Sequence, residues 1–241
     1  MAKKALDVCL SPAMFSRHAG SEKVVVVIDI LRATSAICTA LANGAREIIP
    51  VDTVEEAREY KTKGFLVAAE RDGFVLDFAD FGNSPYNFTP DKVKDRSIVY
   101  STTNGTGIIN MSAECSMVLI GSYLNFSALT SWLIEQDRDV LLFCAGWKER
   151  VSLEDMVCAG AYASKLISSG TFTTICDSAH ASMDLWDIAK DDLMGYIEKA
   201  AQRSRLRDKG LDDCIGFCHT FDFTSVLPVL KNGKLIPASE L

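Results

Sequence analysis

Residues 24–29 read VVVVID, five branched apolar side chains in succession ending on an aspartate. So short and continuous a run suits a strand covered on both sides better than a surface strand or a helix. A strand of that kind needs helices above and below it, and the sequence supplies them. ATSAICTALANGA follows at once, helical in composition and closed by Gly44. The alternation then repeats. REIIPV (46–51) precedes TVEEAREYKTKG, where Thr53 and Glu56 have capping-box spacing and Gly64 sits at the end. FLVAA (65–69), SIVYS (97–101), MVLI (117–120) and VLLFCAG (140–146) are further buried-strand segments. LNFSALTSWLIEQ and SLEDMVCAGAYASKLISSG read as helices, with Ser152 and Asp155 placed to cap the second. Strands alternating with helices predict an α/β protein: three layers, α/β/α, around a mostly parallel (mixed) sheet.

From about residue 182 to 219 the chain turns helical and charged, as in MGYIEKAAQRSRLRDKG, and VLPVLKNGKLIPA then predicts a hairpin about Asn232-Gly233. With no repeat, low-complexity tract or linker, residues 1–241 read as one domain. It divides into a βα core over 1–180 and a helical addition with a terminal hairpin over 181–241.

Composition narrows the function. A formal net charge of −7 is wrong for a nucleic-acid or anionic-membrane binder. The longest apolar run contains an aspartate and is too short to span a bilayer, and the N-terminus has no signal-peptide pattern. Eight cysteines occur singly, without CxxC spacing, and mostly in apolar stretches. A reduced, cytoplasmic protein is expected, with a homodimer as the default assembly.

In parallel α/β sheets the ligand crevice lies outside the carboxyl ends of the strands. Polar residues follow nearly every predicted strand: Asp29, Arg32, Thr34 and Ser35 after the first, then Glu70 and Arg71, then Asn83 and Ser84. The segment YSTTNGTG packs Ser101, Thr102, Thr103, Asn104 and Thr106 around Gly105 and Gly107, more small hydrogen-bonding groups than a turn requires. Asn125 follows the next strand, and Glu154 and Asp155 the last. Singly, each has a structural explanation: helix caps, first-turn carboxylates or a surface ion pair. Their joint placement on one sheet edge favours a site.

Hydroxyls and N–H groups at helix starts bind oxyanions. Arg32 and Arg71 offer forks to phosphate, carboxylate or sulfonate. Asp29, Glu70, Glu154 and Asp155 are hard oxygen donors suited to Mg²⁺ held partly through a substrate phosphate. Phosphate-ester hydrolysis fits this set, since neither GxxxxGK[ST] nor GxGxxG occurs. Two other readings stay open. Cys144 and Arg150 have the C-x5-R spacing that resembles cysteine-dependent phosphatases, although Trp147 and Glu149 suit an anion loop poorly and Val151 replaces the usual hydroxyl residue. A non-catalytic phosphometabolite-binding protein would need the anion loops without the acidic cluster. The three histidines lie in no metal-binding pattern.

The succession DILRATS (29–35), ANGAREIIPV (42–51), AAERDG (68–73), FGNSP (81–85), STTNGTG (101–107), GSYLN (121–125) and CAG…SLEDMVCAG (144–160) resembles the 2-phosphosulfolactate phosphatase family. Ala69 and Asp72 depart from the glycines usual around the ER pair, and ADFGNSP replaces GFDLGNSP. The resemblance implies a three-layer α/β/α fold and a Mg²⁺-dependent hydrolase converting 2-phospho-3-sulfolactate to 3-sulfolactate and phosphate. That step belongs to coenzyme M biosynthesis or other sulfonate metabolism; another small acidic phosphate ester is the nearest alternative substrate. Catalytic positions carried over are Asp29, Arg32, Glu70 and Asp155, and metal positions Asp29, Glu70, Glu154 and Asp155. Substrate positions are Thr34, Ser35, Arg71, Asn83, Ser84, Thr102, Thr103, Asn104, Gly105, Thr106 and Asn125. On this reading Arg32 and the TTNGT loop hold phosphoryl oxygens and Arg71 the sulfonate or carboxylate end. The nucleophile is Asp29 or a metal-bound water.

Overall fold

The computed structural model describes residues 3–18 and 22–240. Eleven strands form one mixed, mostly parallel sheet flanked by helices. They are β1 (Lys4–Cys9), β2 (Val24–Ile28), β3 (Glu47–Pro50), β4 (Leu66–Arg71), β5 (Phe74–Val75), β6 (Ser97–Ser101), β7 (Met117–Gly121), β8 (Val140–Cys144), β9 (Phe172–Thr173), β10 (Pro228–Lys231) and β11 (Lys234–Pro237). Their order across the sheet is β5-β4-β6-β3-β11-β10-β7-β2-β8-β1-β9.

Two parallel blocks stand out. In one, β2 lies between β7 and β8 and all five of its residues are buried, as its valine run requires. In the other, β6 lies between β3 and β4. The C-terminal hairpin joins them. Asn232 and Gly233 both have positive φ, 52° and 75°, as a two-residue type I′ turn demands. β10 then pairs antiparallel with β7 through Val229 and Leu119, and β11 with β3 through Leu235 and Ile48. The hairpin is thus a central part of the sheet.

Helix Ala33–Ala42 is buried through nine consecutive residues, because both blocks pack on it. Its Ile37 and Ala40 share one core with Val25, Val27 and Phe143 from one block and Ile48, Ile98 and Tyr100 from the other. An all-round apolar helix is stable only in such a setting. Residues at the carboxyl ends of β2, β4 and β6 thereby meet at one pocket.

The structure differs from the sequence reading at several points. β1 was not predicted; its KALDVC carries two polar residues, yet it pairs in parallel with β8. Ser152 occupies the N-cap of helix Leu153–Ser168 but makes no capping hydrogen bond, and Asp155 turns away to other partners. Thr53 behaves as read, its Oγ1 accepting from Glu56 N at 3.1 Å. The eight cysteines are free. No helix among the described residues is long and apolar enough to cross a membrane.

Candidate active site

Asp29 follows β2 directly and is 8% exposed. Thr34 fixes the backbone there: its Oγ1 accepts from Asp29 N and donates to Asp29 O, while Ser35 Oγ donates to Ile30 O. Asp29 Oδ1 accepts from Ala33 N at 3.2 Å. A Cβ on Gly105 would fall 2.4 Å from Ala33 Cβ and 2.9 Å from Asp29 Oδ2, so only glycine lets the start of helix Gly105–Met111 approach this carboxylate. Burial, then the charges of Glu70 and Glu154, push Asp29 up to about 7, against the Ala33 N–H and Arg32.

Arg32 is buried beside it, following a cis Leu31–Arg32 peptide. Its Nε and Nη2 both donate to Asn83 Oδ1, at 3.1 and 2.7 Å, and Nη1 donates to Leu211 O at 2.9 Å. These acceptors are neutral oxygens. They orient the guanidinium toward the pocket, which suits an anion site. Cys214 Sγ lies 3.8 Å from Nη1, and its thiol is drawn down to about 6 by the Cys218 hydrogen bond and Arg32, against burial.

Glu70 ends β4 with both oxygens engaged. Oε1 accepts from Thr103 N at 2.8 Å; Oε2 accepts from Gly73 N at 2.6 Å and Thr103 Oγ1 at 3.1 Å. It ties the loop after β4 to the loop after β6. In that second loop Thr102 and Thr106 bond reciprocally, each hydroxyl accepting the other's N–H at 3.1–3.2 Å. Some of the surplus hydroxyls in YSTTNGTG therefore build the loop itself.

These pieces enclose one pocket, walled by Asp29, Arg32, Glu70, Asn83, Thr102, Thr103 and Asn104 from the expected set. The other expected residues are not on its wall. Thr34, Ser35, Gly105 and Thr106 support it as described. Arg71 points elsewhere, as strand alternation after Glu70 requires: it donates to Glu70 O, Asp52 O and Ser101 Oγ. Asn125 accepts from Ser122 N and donates to Ile120 O and Val226 O, linking the end of β7 to the segment before β10. Ser84 lies off the wall, although Asn83 beside it is on it. Asp155 receives Ile30 N at 2.9 Å and Gly146 N at 3.1 Å, one on each oxygen, and burial holds its carboxyl well above the usual range. Glu154 lines a neighbouring cavity; its Oε2 is buried with no partner, and burial raises its pKa against the pull of Arg205.

The rest of the wall comes from the C-terminal helices. Gln202, Arg205 and Leu206 of helix Ala201–Asp208, with Lys209 just after it, face the pocket at i, i+3, i+4 and i+7 spacing. Arg205 stacks on Trp147 at 4.1 Å and its Nε donates to Gln202 Oε1; Lys209 Nζ donates to Asp72 O. The RSRLRDK run carried that spacing, but a charged helical face reads as solvated unless something marks it otherwise.

Cys144 is fully buried, off the pocket wall, and raised well above the ordinary thiol range by burial; Arg150 borders the neighbouring cavity. Neither access nor thiolate chemistry favours Cys144 as a nucleophile.

Buried carboxylates, a buried arginine and a hydroxyl-rich loop meet at the strand ends, a set suited to phosphate-ester hydrolysis. The 2-phosphosulpholactate phosphatase family profile matches residues 9–233, and the chain belongs to that family. Relatives named probable 2-phosphosulfolactate phosphatase include the following three. That of Caldanaerobacter subterraneus subsp. tengcongensis is 39% identical over 216 residues, covering 88% of this chain and 89% of the relative. That of Thermotoga maritima is 37% identical over 214 residues, with 89% and 92% covered. That of Clostridium novyi is 34% identical over 233 residues, with 95% and 98% covered.

Proposed function

We propose that the protein hydrolyses 2-phospho-3-sulfolactate to 3-sulfolactate and phosphate with the help of Mg²⁺. The observation that carries this reading is Arg32, buried and oriented by Asn83 and Leu211, on the same wall as Asp29.

Mg²⁺ fits the donor set in a limited way. No three His, Cys, Asp or Glu side chains among the described residues gather into a ready-made cage. Magnesium seldom needs one: it is usually held by one or two carboxylates and substrate phosphate oxygens, keeping several waters. Asp155 has both oxygens committed to backbone N–H groups. Asp29 and Glu154 retain capacity, and the orphaned Glu154 Oε2 is the kind of buried atom that lacks its counterpart. These two residues would hold the ion, with Glu70 adding charge. Bound there, Mg²⁺ would offset carboxylate repulsion and polarise the phosphoryl group.

The chain's own residues supply the rest. Arg32 and the N–H of Asn104 bind phosphoryl oxygens; the N–H groups of Thr102, Thr103 and Thr106 are already taken by Thr106, Glu70 and Thr102. Glu70 keeps that loop in register through Thr103. Asp29 Oδ2 accepts a proton from the attacking water and returns it to the leaving alkoxide as the phosphorus–oxygen bond breaks. Phosphate release should be measured from 2-phospho-3-sulfolactate, 2-phospholactate and glycerol phosphate. The sulfonated ester should give a kcat/KM at least about tenfold above the others. Equal values, or turnover of the simpler esters alone, would contradict the substrate assignment.

A further inference from the structure

The phosphoryl pocket leaves about 30 Å³ of free space, while a cavity of about 250 Å³ adjoins it and shares Trp147, Gln202 and Arg205 as a common wall. The smaller space is too small for a whole phosphate ester, so the remainder of the molecule must extend past it. The lining of the second cavity is chemically selective. Arg150, Lys199 and Arg205 face a single acidic residue, Glu154. Three cations against one acid suit an oxyanion and disfavour an apolar or cationic group. Arg205 is the residue best arranged to bind one. Trp147 supports the guanidinium face, Gln202 accepts from Nε at 2.8 Å, and among the described residues the two Nη groups have no acceptor. Gln202 is itself anchored, its Nε2 donating to Leu31 O at 3.1 Å, beside Arg32. The two arginines are thereby fixed to one frame.

We propose that this second cavity is the subsite for the non-phosphoryl acidic end of the substrate, its sulfonate or carboxylate, and that Arg205 is its specificity-determining residue. The assignment rests on the first pocket being the phosphoryl site. It moves recognition of the acidic end from Arg71, whose guanidinium is held by Glu70 O, Asp52 O and Ser101 Oγ, to the C-terminal helix.

Calorimetric titration with 3-sulfolactate, malate and orthophosphate tests it without requiring turnover. Arg205→Gln should weaken 3-sulfolactate about tenfold or more and orthophosphate less than about threefold; Lys199→Gln should act in the same direction by a smaller factor. Malate following 3-sulfolactate would extend the subsite to any acidic end, while a loss confined to 3-sulfolactate would assign it to the sulfonate. Should Arg205→Gln fail to fold, Lys199→Gln and Arg205→Lys carry the same comparison. An unchanged 3-sulfolactate affinity, an equal loss for orthophosphate, or no 3-sulfolactate binding by the wild-type protein would overturn the proposal. Wild-type protein that binds 3-sulfolactate through Arg205 yet releases no phosphate from the ester would sink the phosphatase reading and leave the subsite standing.

Discussion

The floor and the side wall of the pocket are built on different terms. On the floor, at the ends of β2, β4 and β6, nearly every polar atom is committed to the backbone: Thr34 to Asp29, Glu70 to Thr103 and Gly73, Thr102 to Thr106. On the wall, Arg205 and Lys209 extend long side chains from one short helix, anchored by an aromatic face, an amide and a single carbonyl. Groups held in advance lose little freedom when charge develops in a transition state, whereas long cations are ordered as ligand arrives. The floor is therefore suited to chemistry and the wall to selection. Floor substitutions should lower kcat, and wall substitutions should raise KM.

Asp29→Asn should be the most severe break on the floor, with kcat for phosphate release falling by about 10³. It should also change stability in a way loss of activity alone does not. A carboxyl whose pKa rises on folding holds its proton more tightly in the native state, so its stabilising contribution is complete below about 3.8 and is lost as pH climbs through about 7. In EDTA, the Asn variant should thus melt above wild type by a margin that widens between pH 5 and pH 8. An equal shift at both pH values would reject the raised pKa. Next comes a pair of arginines: Arg32→Ala should cost about 100-fold in kcat/KM, and Arg71→Ala less than about threefold. A reversed order in steady-state kinetics would restore Arg71 to the site. On the wall, Lys209→Ala should raise KM about fivefold with kcat within about twofold; a fall in kcat alone would erase the distinction. The smallest effect is expected from Cys144→Ser, which puts a hydroxyl in a buried apolar place. It should lower stability by about 1 kcal/mol and leave initial rates within about twofold.

The floor was legible because strand, polar loop and helix start follow one another locally. The run of valines fixed β2, and the surplus of hydroxyls in TTNGT marked its loop. One floor assignment needed three dimensions. Asp155 looks like a ligand beside Glu154 until its oxygens are seen to receive Ile30 N, 125 residues away, and Gly146 N. Arg71, by contrast, carried a local signal in its alternation with Glu70 along β4. The hairpin's Asn-Gly turn was readable, but its insertion between β3 and β7 depends on pairings at long separation. The wall was hidden for a related reason. Gln202, Arg205 and Lys209 share one helical face, and only tertiary packing turns that face toward Asp29 instead of water.

The most direct measurement is phosphate release from 2-phospho-3-sulfolactate by the wild-type protein, first in EDTA and then with excess Mg²⁺. Buried carboxylates without a balancing cation should leave the chelated protein inactive, and Mg²⁺ should restore the rate. Full activity in EDTA would contradict the account.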